Sequence, residues 1–95
     1  MLTDTTIGDE VKIDDLVHVG SGSLIGRKCL ITAGSVIAYD VQLGEAVTIA
    51  PNAVVRESVT IASGITVGQG AVVIHDLVPA GTYVGVPARL LRTKE

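Results

Sequence analysis

The chain has 95 residues, 47% of them apolar, with 7 basic against 10 acidic residues and a net charge of −3. That length bounds it to one domain, residues 1–95, and the acidic balance excludes the basic footprint that nucleic acid or an anionic membrane surface calls for. The apolar content is aliphatic, without Phe or Trp, and a chain this short buries only roughly 60–65% of its surface when folded alone. Part of the aliphatic surface is therefore expected under another subunit.

The first ten residues, MLTDTTIGDE, lack a basic stretch leading into an apolar run, so no signal peptide is expected. No apolar segment approaches the ~18 residues that span a bilayer. The single cysteine, Cys29, has no internal partner, which suits a reducing compartment. The expectation is a cytoplasmic, oligomeric protein with no membrane insertion and no nucleic-acid partner.

From Ile7 onward every sixth residue is aliphatic: Ile7, Ile13, Val19, Ile25, Ile31, Ile37, Leu43, Ile49, Val55, Ile61, Val67 and Val73. With Ile, Val and Leu at 32 of 95 positions, twelve such hits in succession have odds of about two in a million in a given phase. Four residues after each aliphatic comes a second small or apolar residue, from Val11, Val17 and Ser23 through to Leu77. The residue just after the aliphatic is Gly or Ala in eight of twelve hexads, among them Gly8, Gly20, Gly26, Gly44 and Gly68. A period of six matches no helix face. It matches a short strand and a tight corner, with the small residue expected to ease the backbone at the turn.

Three hexads close a triangular coil of 18 residues, and stacking sets each coil ~4.8 Å above the last. Residues 7–78 then form four coils and residues 79–95 a C-terminal extension. Two inward positions per hexad fill the prism, so the expected fold is all-β, a parallel β-helix. Cys29 takes an inward place, as a buried structural thiol. Asp4, Asp9, Glu10, Lys12, Asp14 and Asp15 crowd the first coil, the usual charged protection of a sheet edge.

The hexads IGDEVK, IGRKCL, LGEAVT and VGQGAV resemble the repeats of the hexapeptide-repeat acyltransferases, and the ending VPAGTYVGVPARLLR resembles that family's terminal segment. The resemblance covers residues 6–92 and is greatest to the sugar O- and N-acyltransferases of the lipid A and cell-surface glycan type. It implies a left-handed coil, whereas crossovers between parallel strands are ordinarily right-handed. It further implies a homotrimer, a sugar-like hydroxyl or amine as acceptor, and acyl-CoA, acetyl-CoA or an acyl carrier protein as donor, with no metal required. Ala62, Gly68, Gly70, Gly85, Ala88 and Arg89 match the donor positions, where backbone amides would hold the pantetheine arm and small side chains would admit it. Arg89 and Arg92 would meet nucleotide phosphates. The structural alternative for the same ending is that Gly85 and Pro87 shape the entry to a short C-terminal helix, with Pro87 at its first position.

Stacking by 18 sorts the outward residues into columns. His18, Val36, Val54 and Val72 line one flat face, and contiguous apolar surface of that kind marks an interface. The trimer is expected around it, with His18 as an interface histidine. The family's catalytic histidine, a general base, matches Ser21 here, and a serine of ordinary acidity takes no proton at neutral pH. The Ser21 column continues through Tyr39, Glu57 and His75. His75 is therefore the candidate for a displaced base, with Glu57 one coil beneath, at ~5 Å, to orient it. The alternative is an exposed ladder of corner residues.

Two histidines on different columns do not make the three-ligand site of a zinc enzyme. Nor do Thr48, Thr60 and Thr66 make the paired threonine ladder of an ice-binding surface. Two functions remain: an acyltransferase, or a catalytically silent trimeric binding or scaffold protein that keeps the fold.

Overall fold

The computed structural model describes residues 5–93. The first coil carries β1 (Thr6–Ile7), β2 (Lys12–Ile13) and β3 (His18–Val19). The second carries β4 (Leu24–Ile25), β5 (Leu30–Ile31) and β6 (Val36–Ile37). The third carries β7 (Gln42–Leu43), β8 (Thr48–Ile49) and β9 (Val54–Val55), and the fourth β10 (Thr60–Ile61), β11 (Thr66–Val67) and β12 (Val72–Val73). Each strand pairs in parallel with its counterpart one coil away, as in Leu24 opposite Gln42 and Val54 opposite Val72.

Three flat faces result. The first is β1-β4-β7-β10 and the third is β3-β6-β9-β12, each four-stranded. The second has six strands, because β13 (Gly81–Val84) and β14 (Arg89–Thr93) extend β2-β5-β8-β11. The second residue of every two-residue strand points inward, and the expected aliphatics fill those places. Ile25, Ile31, Ile37, Leu43, Ile49, Val55, Ile61, Val67 and Val73 are all buried, most of them completely. Ile7 and Ile13 keep 42% and 41% of their surface, since a described coil lies against them on one side only. The charged residues expected around that coil, Asp9, Glu10, Lys12, Asp14 and Asp15, are exposed, and Asp4 lies outside the described residues.

The other inward position is polar at one level of the prism, where Ser23, Cys29 and Ser35 are all buried. Each donates to a carbonyl one corner round the next coil: Ser23 Oγ to Ala38 O at 2.9 Å, Cys29 Sγ to Gly44 O at 3.1 Å and Ser35 Oγ to Ala50 O at 2.9 Å. Buried polar atoms so satisfied add little cost. Burial raises the pKa of the Cys29 thiol, which is the inert behaviour of a structural cysteine.

The corners correct one expectation. Glycines just after the aliphatic, such as Gly8, Gly20 and Gly26, are not the residues with positive φ. They are small because a Cβ there would strike the adjacent coil, at 2.7 Å from the carbonyl carbon of Ala38 in the case of Gly20 and against the carbonyl oxygen of Gly44 for Gly26. The left-handed conformation falls two residues later, in every hexad from Glu10 to Gly70: Glu10, Leu16, Gly22, Lys28, Gly34, Asp40, Ala46, Asn52, Ser58, Gly64 and Gly70. It turns the amide along the prism axis onto the preceding coil, as in Lys28 N to Asp9 O at 2.9 Å and Ser58 N to Tyr39 O at 3.0 Å.

The C-terminal extension also departs from expectation. The described residues contain no helix. Gly85–Ala88 form a turn, with Gly85 at φ 97° and Pro87 inside it, and Arg89–Thr93 return as a strand antiparallel to β13. Leu91 is the extra residue of a bulge in this pairing, which matches Thr82 with Arg92 and Tyr83 with Leu90. The open edge of the second face accounts for the strand: β13 offers unpaired backbone groups, and pairing satisfies them.

Two corner variants test this account. Leu16 has φ 59° and is 91% exposed, so Leu16→Gly sheds left-handed strain at little cost in burial and is expected to stabilise by about 1 kcal/mol. Gly34→Ala adds a Cβ at φ 76° against Asn52 Oδ1 and is expected to destabilise by ~1–2 kcal/mol. Urea denaturation of both reads the opposite signs.

Candidate functional site

The backbone is nearly the same in every coil, so any site must come from outward side chains and corners. The third face presents His18, Val36, Val54 and Val72 in register, with the three valines half-buried and His18 exposed. Two edges flank it. One joins the third face to the first and carries the column Ser21, Tyr39, Glu57 and His75. The other joins the second face to the third and carries Gly68 and Gly70.

On the first of these edges His75 is exposed and Glu57 half-buried, one coil apart as the 18-residue spacing dictates. Both line a shallow depression of about 480 Å³ together with Arg56, Ser58, Val59, Ile74 and Asp76. Asp76 Oδ1 accepts the amide of Thr60 at 2.8 Å, which ties down the segment bearing His75 where the regular corner pattern ends. Glu57 is held differently from expectation: among the described residues its side-chain partner is Arg56, whose Nε donates to Oε2 at 3.3 Å, and not His75. Its own backbone N–H, first, and the Arg56 bond, second, hold the Glu57 carboxyl below its ordinary pKa. Ser21 is half-buried on the same column, its carbonyl accepting from Asp40 N at 3.0 Å, and Tyr39 stands 54% exposed between it and Glu57.

The donor candidates divide between edges. Gly68, Gly70, Gly85 and Ala88 gather where the second face meets the third: Gly68 N donates to Tyr83 O at 2.7 Å, Val72 N to Gly85 O at 3.1 Å and Ala88 N to Val72 O at 2.8 Å. Arg89 follows directly, exposed and opposite Val84. Ala62 sits on the remaining edge, between the first and second faces, with its amide donating to Leu77 O at 2.9 Å. Arg92 lies beside Thr82, on the outer side of the second face. A Cβ on Gly70 would meet nothing within 4 Å, so this corner is open to a ligand. The amides of Ala62, Gly68, Gly70 and Ala88 are all spent inside the protein.

Arg56, beside Glu57, was not legible as its partner from columns, because the two are sequence neighbours rather than coil neighbours. Arg56→Gln is expected to move the Glu57 pKa up toward the ordinary carboxylate range, read by carbon-detected NMR titration. The sign follows from the depression: the carboxylate favours the fold above its unfolded pKa, and that contribution fades as pH falls through the folded value. The loss is small because the carboxyl and its bond to Arg56 face solvent, although the residue as a whole is half-buried.

Comparison with known proteins bears on this arrangement. The family described as bacterial transferase hexapeptide (six repeats) matches residues 4–39. UDP-3-O-acylglucosamine N-acyltransferase of Caulobacter sp. strain K31 is 41% identical over 90 residues, which are 94% of this chain and 26% of that protein. The corresponding protein of Methylorubrum extorquens strain PA1 is 31% identical over 90 residues, again 26% of its length. The chain thus spans about a quarter of these curated relatives. Soybean serine acetyltransferase superposes with a TM-score of 0.82 at 31% identity, over 92% of this chain and 40% of that one. A mutant GDP-perosamine N-acetyltransferase of Caulobacter crescentus, in complex with CoA and GDP-perosamine, gives 0.64 at 27% identity, over 95% and 52%. With twelve inward aliphatics at period six, four parallel coils and these similarities, the chain is a left-handed β-helix built on a six-residue repeat and resembles the hexapeptide-repeat acyltransferases, those of lipid A type among them.

Proposed function

We propose that the chain acts as a trimeric acyltransferase, moving an acyl or acetyl group from acyl-CoA, or from an acyl carrier protein, to the hydroxyl or amine of a sugar-like acceptor. One observation carries the reading: the apolar third face lies between the edge bearing His75 and Glu57 and the edge bearing Gly68, Gly70, Gly85 and Ala88. If three copies turn that face to a common axis, each His75 edge meets the neighbour's Gly68–Gly85 edge. Each site then takes its base from one copy and its donor groove from the next, and a lone copy holds only halves.

In this reading His75 accepts the proton of the acceptor's hydroxyl or amine as that atom attacks the thioester carbonyl. The carbon–sulfur bond breaks as the tetrahedral intermediate collapses, and the leaving thiolate takes the proton back from His75. Arg56 fixes the Glu57 carboxylate beneath His75, so Glu57 supplies negative charge near the imidazole without binding it directly. Arg89, at the head of β14, would meet donor phosphates at the outer end of the groove.

The silent-scaffold reading keeps one specific support. The resemblance sets Ser21 where the family's base is expected, and Glu57 is engaged by Arg56 rather than by His75. Turnover decides between the two. Thiol release from acetyl-CoA in the presence of an amino sugar is expected, with a loss of ~10²-fold or more in His75→Ala. Sedimentation is expected to show a trimer for the wild type and for His75→Ala. Val54→Asp sets three carboxylates in an apolar contact and is expected to yield monomers without turnover. Absence of thiol release from a well-formed trimer would leave the scaffold reading standing.

A further inference from the structure

The outer side of the second face carries a groove that the proposed reaction does not use. β8, β11 and β13 set Thr48, Thr66 and Thr82 directly opposite one another, one coil apart. The antiparallel return of β14 places Arg92 beside Thr82 on the same side. These residues and Thr93 wall a depression of about 470 Å³, lined also by the small residues Ala46, Gly64 and Gly81. A second depression of about 420 Å³ shares Thr48 with it and is lined by Lys28, Lys12 and Glu10 among others.

Three features give the groove a chemistry. First, the hydroxyls of Thr48, Thr66 and Thr82 make no intramolecular hydrogen bond among the described residues, whereas Thr32, at an outward position nearby, donates to Ile49 O at 2.8 Å. Second, Arg92 is exposed, and no carboxylate lines its end of the groove among the described residues. Third, β-branched threonine is stiff at χ1, so the hydroxyls and methyls stand in a fixed row at coil spacing. A guanidinium fork suits a phosphate, hydroxyls that both donate and accept suit a polyol, and the methyls suit its C–H face.

We infer that this face binds a phosphorylated sugar, with the phosphate on Arg92 and the ring hydroxyls along the threonine row. The inference does not rest on acyl transfer: the groove lies on the outer side of the second face, turned away from the axis that the third face would surround. A nucleic acid would present phosphates as well, but the groove has no aromatic side chain on which a base could stack.

The test is an amide NMR titration of the full chain without any acyl donor, using glucose 6-phosphate, glucose, inorganic phosphate and a short single-stranded oligonucleotide. Saturable shifts centred on residues 48, 66 and 82 are expected with glucose 6-phosphate, and binding at least about tenfold weaker with glucose or inorganic phosphate. Arg92→Gln is expected to weaken glucose 6-phosphate about tenfold and to flatten its salt dependence. Thr66→Val keeps shape and strand preference while removing one hydroxyl, and is expected to weaken the sugar phosphate several-fold but leave inorganic phosphate unchanged. Equal affinity for inorganic phosphate and the sugar phosphate would overturn the inference. So would indifference to both variants, shifts centred on another face, or a preference for the oligonucleotide. Because the donor is absent throughout, failure here leaves the acyltransferase reading untouched, and failure of turnover leaves this one untouched.

Discussion

The structure depends on one constraint, that residues 18 apart must lie directly over one another. The amide of residue 8 reaches the carbonyl of residue 25 at 2.8 Å, that of residue 26 the carbonyl of residue 43 at 2.9 Å, and so on up the prism. A slip of one residue would turn every inward aliphatic outward, because side chains alternate along a strand. The buried layers, such as Ile25, Ile31 and Ile37, therefore fix the register, and the backbone ladder then fixes the spacing. Once both are set, most outward residues are under little constraint from the fold, apart from those such as Thr32 and Asp76 that bond the backbone of a neighbouring coil, and their identities are free to carry chemistry.

This separation explains which features could be read from the sequence. The inward positions were legible because burial tolerates only a narrow set of residues there, and twelve aliphatics at period six have no other simple cause. The left-handed corner positions were not. Their occupants, among them Glu10, Leu16, Lys28 and Ala46, share no side-chain property, since what is required is a backbone conformation costing only about 1–2 kcal/mol in a non-glycine residue. Ladder bonds and burial along the prism outweigh that cost, so glycine is optional at those places. It is less dispensable just after the aliphatic, as at Gly20 and Gly26, where the constraint is space against the next coil. Similar composition at two neighbouring positions thus concealed two different physical demands.

The C-terminal segment shows the converse. Pro87 in VPARLLR fits the first turn of a helix by local preference, yet the segment forms a strand. The edge of β13 is a non-local feature, and only the assembled second face supplies it. The candidate site was legible to the same depth: columns from the 18-residue spacing place Glu57 under His75 and Gly68 on another edge, but give no account of pairs within one coil. Arg56 binding Glu57 is such a pair. Ala62 shares its small size with Gly68 and Gly70 but stands on a different edge, a distinction that a count of small residues does not make.

Three faces made by one repeat thus differ only in what they turn outward. Thr6, Leu24, Gln42 and Thr60 on the first face form no uniform surface. Lys12, Leu30, Thr48, Thr66 and Thr82 make the second increasingly hydroxyl-rich toward the C-terminal end. Val36, Val54 and Val72 leave the third with a contiguous apolar row. Leu24 on the first face and Leu30 on the second stand exposed as single apolar residues, whereas the valines of the third are contiguous, and covering them gains roughly 25 cal/mol for each Å² of apolar surface removed. Under the proposed trimer, association uses the face whose two borders carry His75 with Glu57 and the open glycine corner. The core sets where every outward residue stands, and the contrast among the faces determines which of those residues a second copy would bring together.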